Sequence, residues 1–469
     1  MSGSGGLTRR RFLETAVSGS AALALAGCAR PSRSGRVVEF WTISLRPTFT
    51  AYILGRVAAF EADHPGVTVR WVDVPFEAIE RKLLAAAAAG RAPDVVNLSD
   101  MMFARFAAAG AFADVGALVP GDPAGRYHAG ALDVGRLGGA LLALPWYLTT
   151  QALIVNRGLL AEGGDATGTL AGDWRGLMAQ ANPYQRETGS TLFTQPIGTD
   201  SQLPMMLLAE GLAPFRVADG GELRADLTRS GIVEYLRAWA ELYREGALPR
   251  EAATRGFEHL IDVYQNERVA LVNTGANFLG RVRDVSRRVY DATEVFPPVT
   301  GALGRAHIAV MPVCVSARAR DPGLAAEWAW FLTSPESQLE FCRLAPILPS
   351  TPGSLDDPFF RGPTSAESEA GDALIGRARA TVARTLSSAV AFTPAIEAWP
   401  AMRRDFNEGI KASLLGDAPI EQTLAGIESR WDERLVEMNA RRAASGAAPA
   451  TPDAIPAPAR TNLAREAAS

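Results

Sequence analysis

An α/β fold built on a parallel sheet is predicted by two observations. Short apolar runs alternate with stretches of helical spacing, and glycine or proline punctuates each change. Val37-Val38-Glu39-Phe40-Trp41 reads as a buried strand. Ile53, Leu54, Val57 and Phe60 recur at helical spacing, and His64-Pro65-Gly66 ends that helix. Val67, Val69 and Trp71 alternate as a second strand. Phe76, Ile79, Leu83 and Leu84 mark a second helix with Gly90 as its stop. Asp94-Val95-Val96-Asn97-Leu98 is a third strand, and a helix from Met102 ends at Gly110. Right-handed crossovers then place helices on both faces. Ala152-Leu153-Ile154-Val155 and Val269-Ala270-Leu271-Val272 are further buried strands. From Asp321 the pattern is largely helical, over 325–332, 335–343, 396–415 and 420–439. The segment 441–469 is rich in Ala and Pro without hydrophobic periodicity and is expected to be disordered. No internal repeat is visible.

The 469 residues suffice for two domains, and 48% hydrophobic with 21% charged residues is ordinary for a globular chain. The beginning is not ordinary. Thr8-Arg9-Arg10-Arg11-Phe12-Leu13 has the form of a twin-arginine export signal, carried by Arg9 and Arg10, and a short apolar stretch follows. Leu25-Ala26-Gly27-Cys28 resembles a lipobox, in which Cys28 is lipidated and becomes the mature N-terminus. The apolar stretch is too short to cross a bilayer, which takes roughly 20 residues. The alternative is an N-terminal helix with chance arginines. The lipoprotein reading makes residues 1–28 the signal and 29–35 a linker, and it leaves the folded part extracytoplasmic, held to the membrane by lipid alone.

Composition also excludes several chemistries. The formal charge is −4, and about −6 after removal of the signal, so no basic face invites nucleic acid. Lys82 and Lys411 are the only lysines and neither follows glycine, which rules out a phosphate-cradling P-loop. His64, His128, His259 and His307 stand singly, with no HExxH or Cys-His cluster, so neither a metal nor a cofactor is assigned. Cys314 and Cys342 read either as a disulfide pair or as two buried small apolar residues.

Several segments resemble those of a known family in order and spacing. They include Phe60-Glu61-Ala62-Asp63-His64-Pro65-Gly66-Val67-Thr68-Val69 and, after the small-residue helix, Gly90-Arg91-Ala92-Pro93-Asp94-Val95-Val96. Ala109-Gly110-Ala111-Phe112-Ala113-Asp114, Leu144-Pro145 and Ala152-Leu153-Ile154-Val155-Asn156-Arg157 follow, then Ala326-Glu327-Trp328-Ala329-Trp330-Phe331-Leu332. The chain is similar to extracellular solute-binding proteins of ABC importers, the group of maltose-binding protein and its relatives (family 1). That resemblance implies a two-lobed, class II periplasmic-binding-protein-like fold with ligand in the cleft. The first lobe would be 36–151 plus 295–333 and the second 152–294 plus 334–440. Crossings are then expected near 151–156, 295–298 and 333–335. It further implies a monomeric receptor that closes on a mono- or oligosaccharide and delivers it to ABC permease subunits, with no covalent chemistry.

A sugar presents apolar faces and a hydroxyl rim, so its site needs aromatic surfaces and fixed polar groups. In open α/β sheets ligands bind beyond the carboxyl ends of strands. Trp41, Ser44, Arg46, Ser99 and Asp100 fall at such ends in the first lobe. Trp146, Tyr147 and Thr149 approach the first crossing, while Asn277, Phe278 and Trp399 sit where the family places its second-lobe contacts. Each aromatic has a core alternative, and Asp100 and Ser99 would also serve as helix caps. A carboxylate at Asp100 could accept two vicinal hydroxyls. Leu98, Met101 and Thr149 depart from the maltose binders, so maltose itself is not expected. Two other classes stay open: a lipid-anchored carbohydrate-active enzyme with paired carboxylates, and a receptor for a polyamine, a peptide or iron.

Overall fold

The structure, a computed structural model, describes residues 36–164, 169–416, 418–444, 446 and 448–466. Arg9, Arg10, Cys28 and the linker 29–35 lie outside the described residues. Strands β1 (Arg36–Ile43), β2 (Val67–Val74) and β3 (Val95–Asn97) are parallel, as the alternating pattern requires. Helices α1 (Thr50–Asp63) and α2 (Ile79–Ala88) connect them, and α3 (Asp100–Ala108) follows β3. α1 buries Ile53, Val57 and Phe60 on one face, and the turn after it uses Gly66 at φ +84°, a conformation open to glycine.

Six further strands complete the sheet: β4 (Ala143–Asn156), β5 (Thr191–Thr194), β6 (Val269–Gly275), β7 (Thr293–Phe296), β8 (Ile308–Val315) and β9 (Leu348–Pro349). The order is β2-β1-β3-β8-β4-β6-β5, and β7 and β9 also pair with β4. β4 is the element that organises the molecule. Its residues 143–150 pair antiparallel with β8, and its residues 151–155 pair antiparallel with β6. One strand thus changes partners between Thr150 and Gln151 and belongs to both lobes. Helices cover both faces, among them α4 (Trp174–Thr188), α5 (Ser230–Arg244), α6 (Pro322–Leu332), α7 (Pro335–Leu344), α8 (Ala373–Ala383), α9 (Trp399–Leu415) and α10 (Ile420–Ala444).

Each lobe has its own core. Phe40, Phe60, Trp146 and Trp328 centre the first, and Trp174, Trp239, Trp399 and Trp431 the second. A third cluster, with Leu148, Ile154, Tyr264 and Val310, packs along β4 at the crossing. Cys314 and Cys342 are buried free thiols, and burial pushes both upward in pKa.

Three expected boundaries need correction. Helix α7 was expected in the second lobe, yet it packs on the first: Phe341 stacks on Tyr52 at 4.7 Å, and the Tyr52 hydroxyl donates to the Ser337 carbonyl at 2.9 Å. The aromatic face of α7 is better buried there than exposed. The segment from Val295 was expected to open the return to the first lobe, but β7 pairs with residues 153–156, so the return begins at β8. The tail is the third case. Ala450, Ala454, Ile455, Ala459 and Leu463 are buried in the second-lobe core, and Ala450 both donates to Asn439 Oδ1 (3.0 Å) and accepts from the Leu223 amide (2.9 Å). The Ala-Pro composition concealed this, because the segment buries small residues against a preformed lobe and needs no periodic face of its own.

Candidate ligand cleft between the lobes

The first-lobe loops beyond the strand ends are fixed by their own side chains. Asp73 accepts from the Thr42 hydroxyl (2.6 Å), the Leu45 amide (3.0 Å) and the Arg46 amide (2.9 Å). Ser44 is exposed at φ +51°, its hydroxyl accepting from the Phe76 amide at 3.1 Å. The exposed Arg46 guanidinium lies 3.9 Å over the Trp71 ring. After β3, Ser99 caps α3 by accepting from the Met102 amide, and Asp100 accepts from the Met101 amide at 2.8 Å. Ser99 thus takes the cap, and the second oxygen of Asp100 faces the other lobe. There it accepts from the Thr393 hydroxyl at 3.0 Å. Burial raises the Asp100 pKa, while the Thr393 bond and the Arg403 charge oppose the rise.

Arg403, from α9, completes this junction. Its guanidinium reaches Met101 Sδ at 3.2 Å and the Ser201 carbonyl at 3.4 Å, while burial lowers its pKa against the charges of Asp100 and Asp200. Beneath it, the Val299 amide donates to Asn273 (3.0 Å), Asn273 to Gln151 (2.6 Å), and Gln151 to Gln202 (2.8 Å). This polar chain runs across the point where β4 changes lobes. His307, beside it, accepts from the Phe392 amide at 3.2 Å, and burial depresses its pKa to about 4. A cavity of about 570 Å³ opens from the junction between Asp100, Phe103 and Gly130 on one side and Arg305, Thr393 and Pro456 on the other.

Several buried polar atoms of the second lobe lack partners among the described residues. Gln195, just beyond the end of β5, is fully buried with neither amide atom bonded. Arg403 Nε, Asn407 Oδ1 and Thr274 Oγ1 are likewise unpartnered. Such groups cost free energy unless something satisfies them.

The other expected residues divide. Trp146 is fully buried, with Tyr147 and Phe341 each 5.3 Å away. Trp399 is equally buried, 5.7 Å from Trp431, and Trp41 is in the core with its indole N–H donating to Glu39. These three are packing residues, because β1, β4 and α9 are covered on the faces that carry them. Tyr147 is half-buried, and burial together with the Asp73 charge raises its hydroxyl pKa. Thr149 and Asn277 meet around a different cavity of about 300 Å³, with Thr150, Leu344 and Arg379, whereas Phe278 packs toward Phe257. Sequence reading missed Gln195, Gln202, Asn273, Thr393 and Arg403. Arg403 precedes Arg404 on an amphipathic helix, where either reads as a solvated surface charge.

The fold and its interlobe junction define a class, that of two-lobed solute-binding proteins. Residues 55–367 match the family of bacterial extracellular solute-binding proteins, and the chain belongs to that family. It is therefore a binding protein, and the enzyme alternative is set aside. A periplasmic-binding protein of Synechococcus sp. MITs9220, provisionally assigned to oligosaccharides, is 31% identical with a TM-score of 0.75, over 86% of this chain and 99% of that one. The sugar-binding protein MalE of Xanthomonas citri shares the fold at 21% identity and a TM-score of 0.69, over 87% of this chain and 99% of its own. The GacH receptor of Streptomyces glaucescens, solved free and with acarbose, shares it at 22% identity and a TM-score of 0.62, over 86% and 99%. An uncharacterized lipoprotein of Streptomyces antibioticus is 26% identical over 136 residues, which span 29% of this chain and 30% of that relative's length.

Proposed function

We propose that this protein is the lipid-anchored receptor of an ABC importer, which captures a carbohydrate between its lobes and hands it unaltered to a membrane permease. The observation that carries the reading is the junction: Asp100 of one lobe meets Thr393 and the charge of Arg403 from the other beyond the strand ends. A sugar diol would displace the Thr393 hydroxyl from Asp100 and satisfy the unpartnered second-lobe atoms. Contacts made to both lobes favour the closed state by their differential energy. Micromolar affinity needs about 8 kcal/mol, within reach of several such hydrogen bonds with partial apolar burial. The oligosaccharide assignment of the Synechococcus protein and the acarbose complex of GacH support a carbohydrate ligand. The Streptomyces antibioticus lipoprotein supports Cys28 as the tether, with Arg9 and Arg10 in its export signal. In this reading the hinge crossings would fall at Thr150 and Gln151, between β7 and β8, and after β9. The receptor works as a monomer.

Thermal-shift titration against an oligosaccharide panel that includes maltotetraose and acarbose tests the ligand class. At least one member should stabilise the protein, and Asp100→Asn should weaken that response about tenfold. Silence across the panel would remove the carbohydrate reading. Cys28→Ser should release the protein from membranes, and a variant that is still acylated would remove the tether.

A further inference from the structure

The second lobe carries a groove of about 530 Å³ that none of the junction residues line. Its floor is one face of α8. Ala373, Arg377, Ala380, Thr381 and Arg384 recur at helical spacing, so small residues leave room between two arginines one stripe apart. Arg157 and Arg361 also border the space, giving it four guanidinium groups. Neighbouring arginines on these elements are neutralised: Arg379 pairs with Glu367, Arg283 with Asp372, Arg287 with Asp291 and Arg288 with Glu267. The four groove arginines form no ion pair among the described residues. Arg157 donates to the Asp291 carbonyl (3.3 Å), Arg361 to the Asp356 carbonyl (2.6 Å) and Arg384 to the Thr381 hydroxyl (3.2 Å), while the Arg377 side chain makes no hydrogen bond among the described residues.

Two acids share the rim. Asp291 is held by Arg287 at 2.9 Å, which leaves Glu294 as the single uncompensated carboxylate against four cations. Tyr290, 3% exposed, lines the groove with a buried hydroxyl that lies against the Ile375 amide and donates to no group among the described residues. Ala373 and Leu374 bring the opening turn of α8 to the same space, where backbone amides favour negative charge. A donor-rich, acid-poor recess of this kind suits a compact dianion. Planar guanidinium forks match phosphate oxygens two at a time, and a tyrosine hydroxyl supplies one more donor.

We propose that this groove binds a phosphate group, carried by a soluble phosphate ester or by the headgroup of an anionic phospholipid. It is a second site, independent of the carbohydrate junction. Full-length Cys28→Ser protein is titrated calorimetrically with inorganic phosphate and glycerol 3-phosphate, and sedimented with phosphatidylglycerol or phosphatidylcholine vesicles at constant ionic strength. Binding of either phosphate probe is expected, weakened about tenfold in R377A/R384A and likewise in R157A/R361A on the other side of the groove. The second pair keeps the test valid if the helix variant fails to fold. Glycerol 3-phosphate binding assigns a soluble ester; binding confined to phosphatidylglycerol vesicles assigns a headgroup. If neither a soluble phosphate probe nor phosphatidylglycerol vesicles bind, or both double variants bind as the parent does, the proposal is overturned.

Discussion

The two lobes meet the junction differently, although Asn97 Oδ1 at the end of β3 is also buried without a partner among the described residues. On the first, Asp73 ties down the Thr42 hydroxyl in β1 and two amides of the loop after it, and Ser99 caps the helix that carries Asp100. On the second, Gln195, Thr274, Asn407 and the Nε of Arg403 are buried with hydrogen-bonding capacity unspent. A satisfied wall sets geometry, whereas an unsatisfied one stores a demand for partners. In the proposed receptor the tied first-lobe loop would set geometry and the second-lobe groups would offer hydrogen bonds to the ligand.

Three experiments strain that contrast, in order of expected size. Trp399→Ala removes a fully buried ring from the second-lobe core and should cost about 3–5 kcal/mol in urea unfolding. Full stability with lost ligand affinity would return this ring to the cleft. Next comes pH. His307 has a folded pKa of about 4 against an ordinary 6.5, so the unfolded chain takes up this proton first as pH falls. Its contribution is whole above pH 6.5 and is lost on descent toward pH 4, by up to about 3 kcal/mol. In His307→Asn, whose amide oxygen can still accept from Phe392, that part of the pH dependence should vanish in denaturation curves run across this window. Gln195→Ala should be the mildest for the fold. It removes an unpartnered amide, so unfolding free energy should hold or rise slightly, while affinity for the responding oligosaccharide falls about tenfold. Equal loss of stability and affinity would show that Gln195 is bonded within the lobe and the contrast between walls is false.

The alternating pattern of β1 and β2 and the helical spacing of α1 made the first lobe legible, because half-buried elements print their periodicity in the sequence. Asp100 was legible for a similar reason: the residue after a parallel strand faces the open end of the sheet. The tryptophans were not. A Trp beside Pro145, or opening a helix before Pro400, sits at a turn in sequence yet fills a core in space, and nothing local separates the two. Thr393 and Arg403 were invisible because they meet Asp100 from about 300 residues away, through tertiary packing alone. Helix α7 misled for a related reason. Its hydrophobic stripe shows that it packs, but not against which body.

The continuous strand from Ala143 to Asn156 has a consequence for how this receptor can change. Side chains alternate along it, so one inserted or deleted residue near Thr150 would turn the whole downstream half inside out relative to the upstream half. Length variation is therefore forbidden at the centre of the molecule. If the lobes close as proposed, the ruler that keeps both bodies in phase is also the axle on which they would swing.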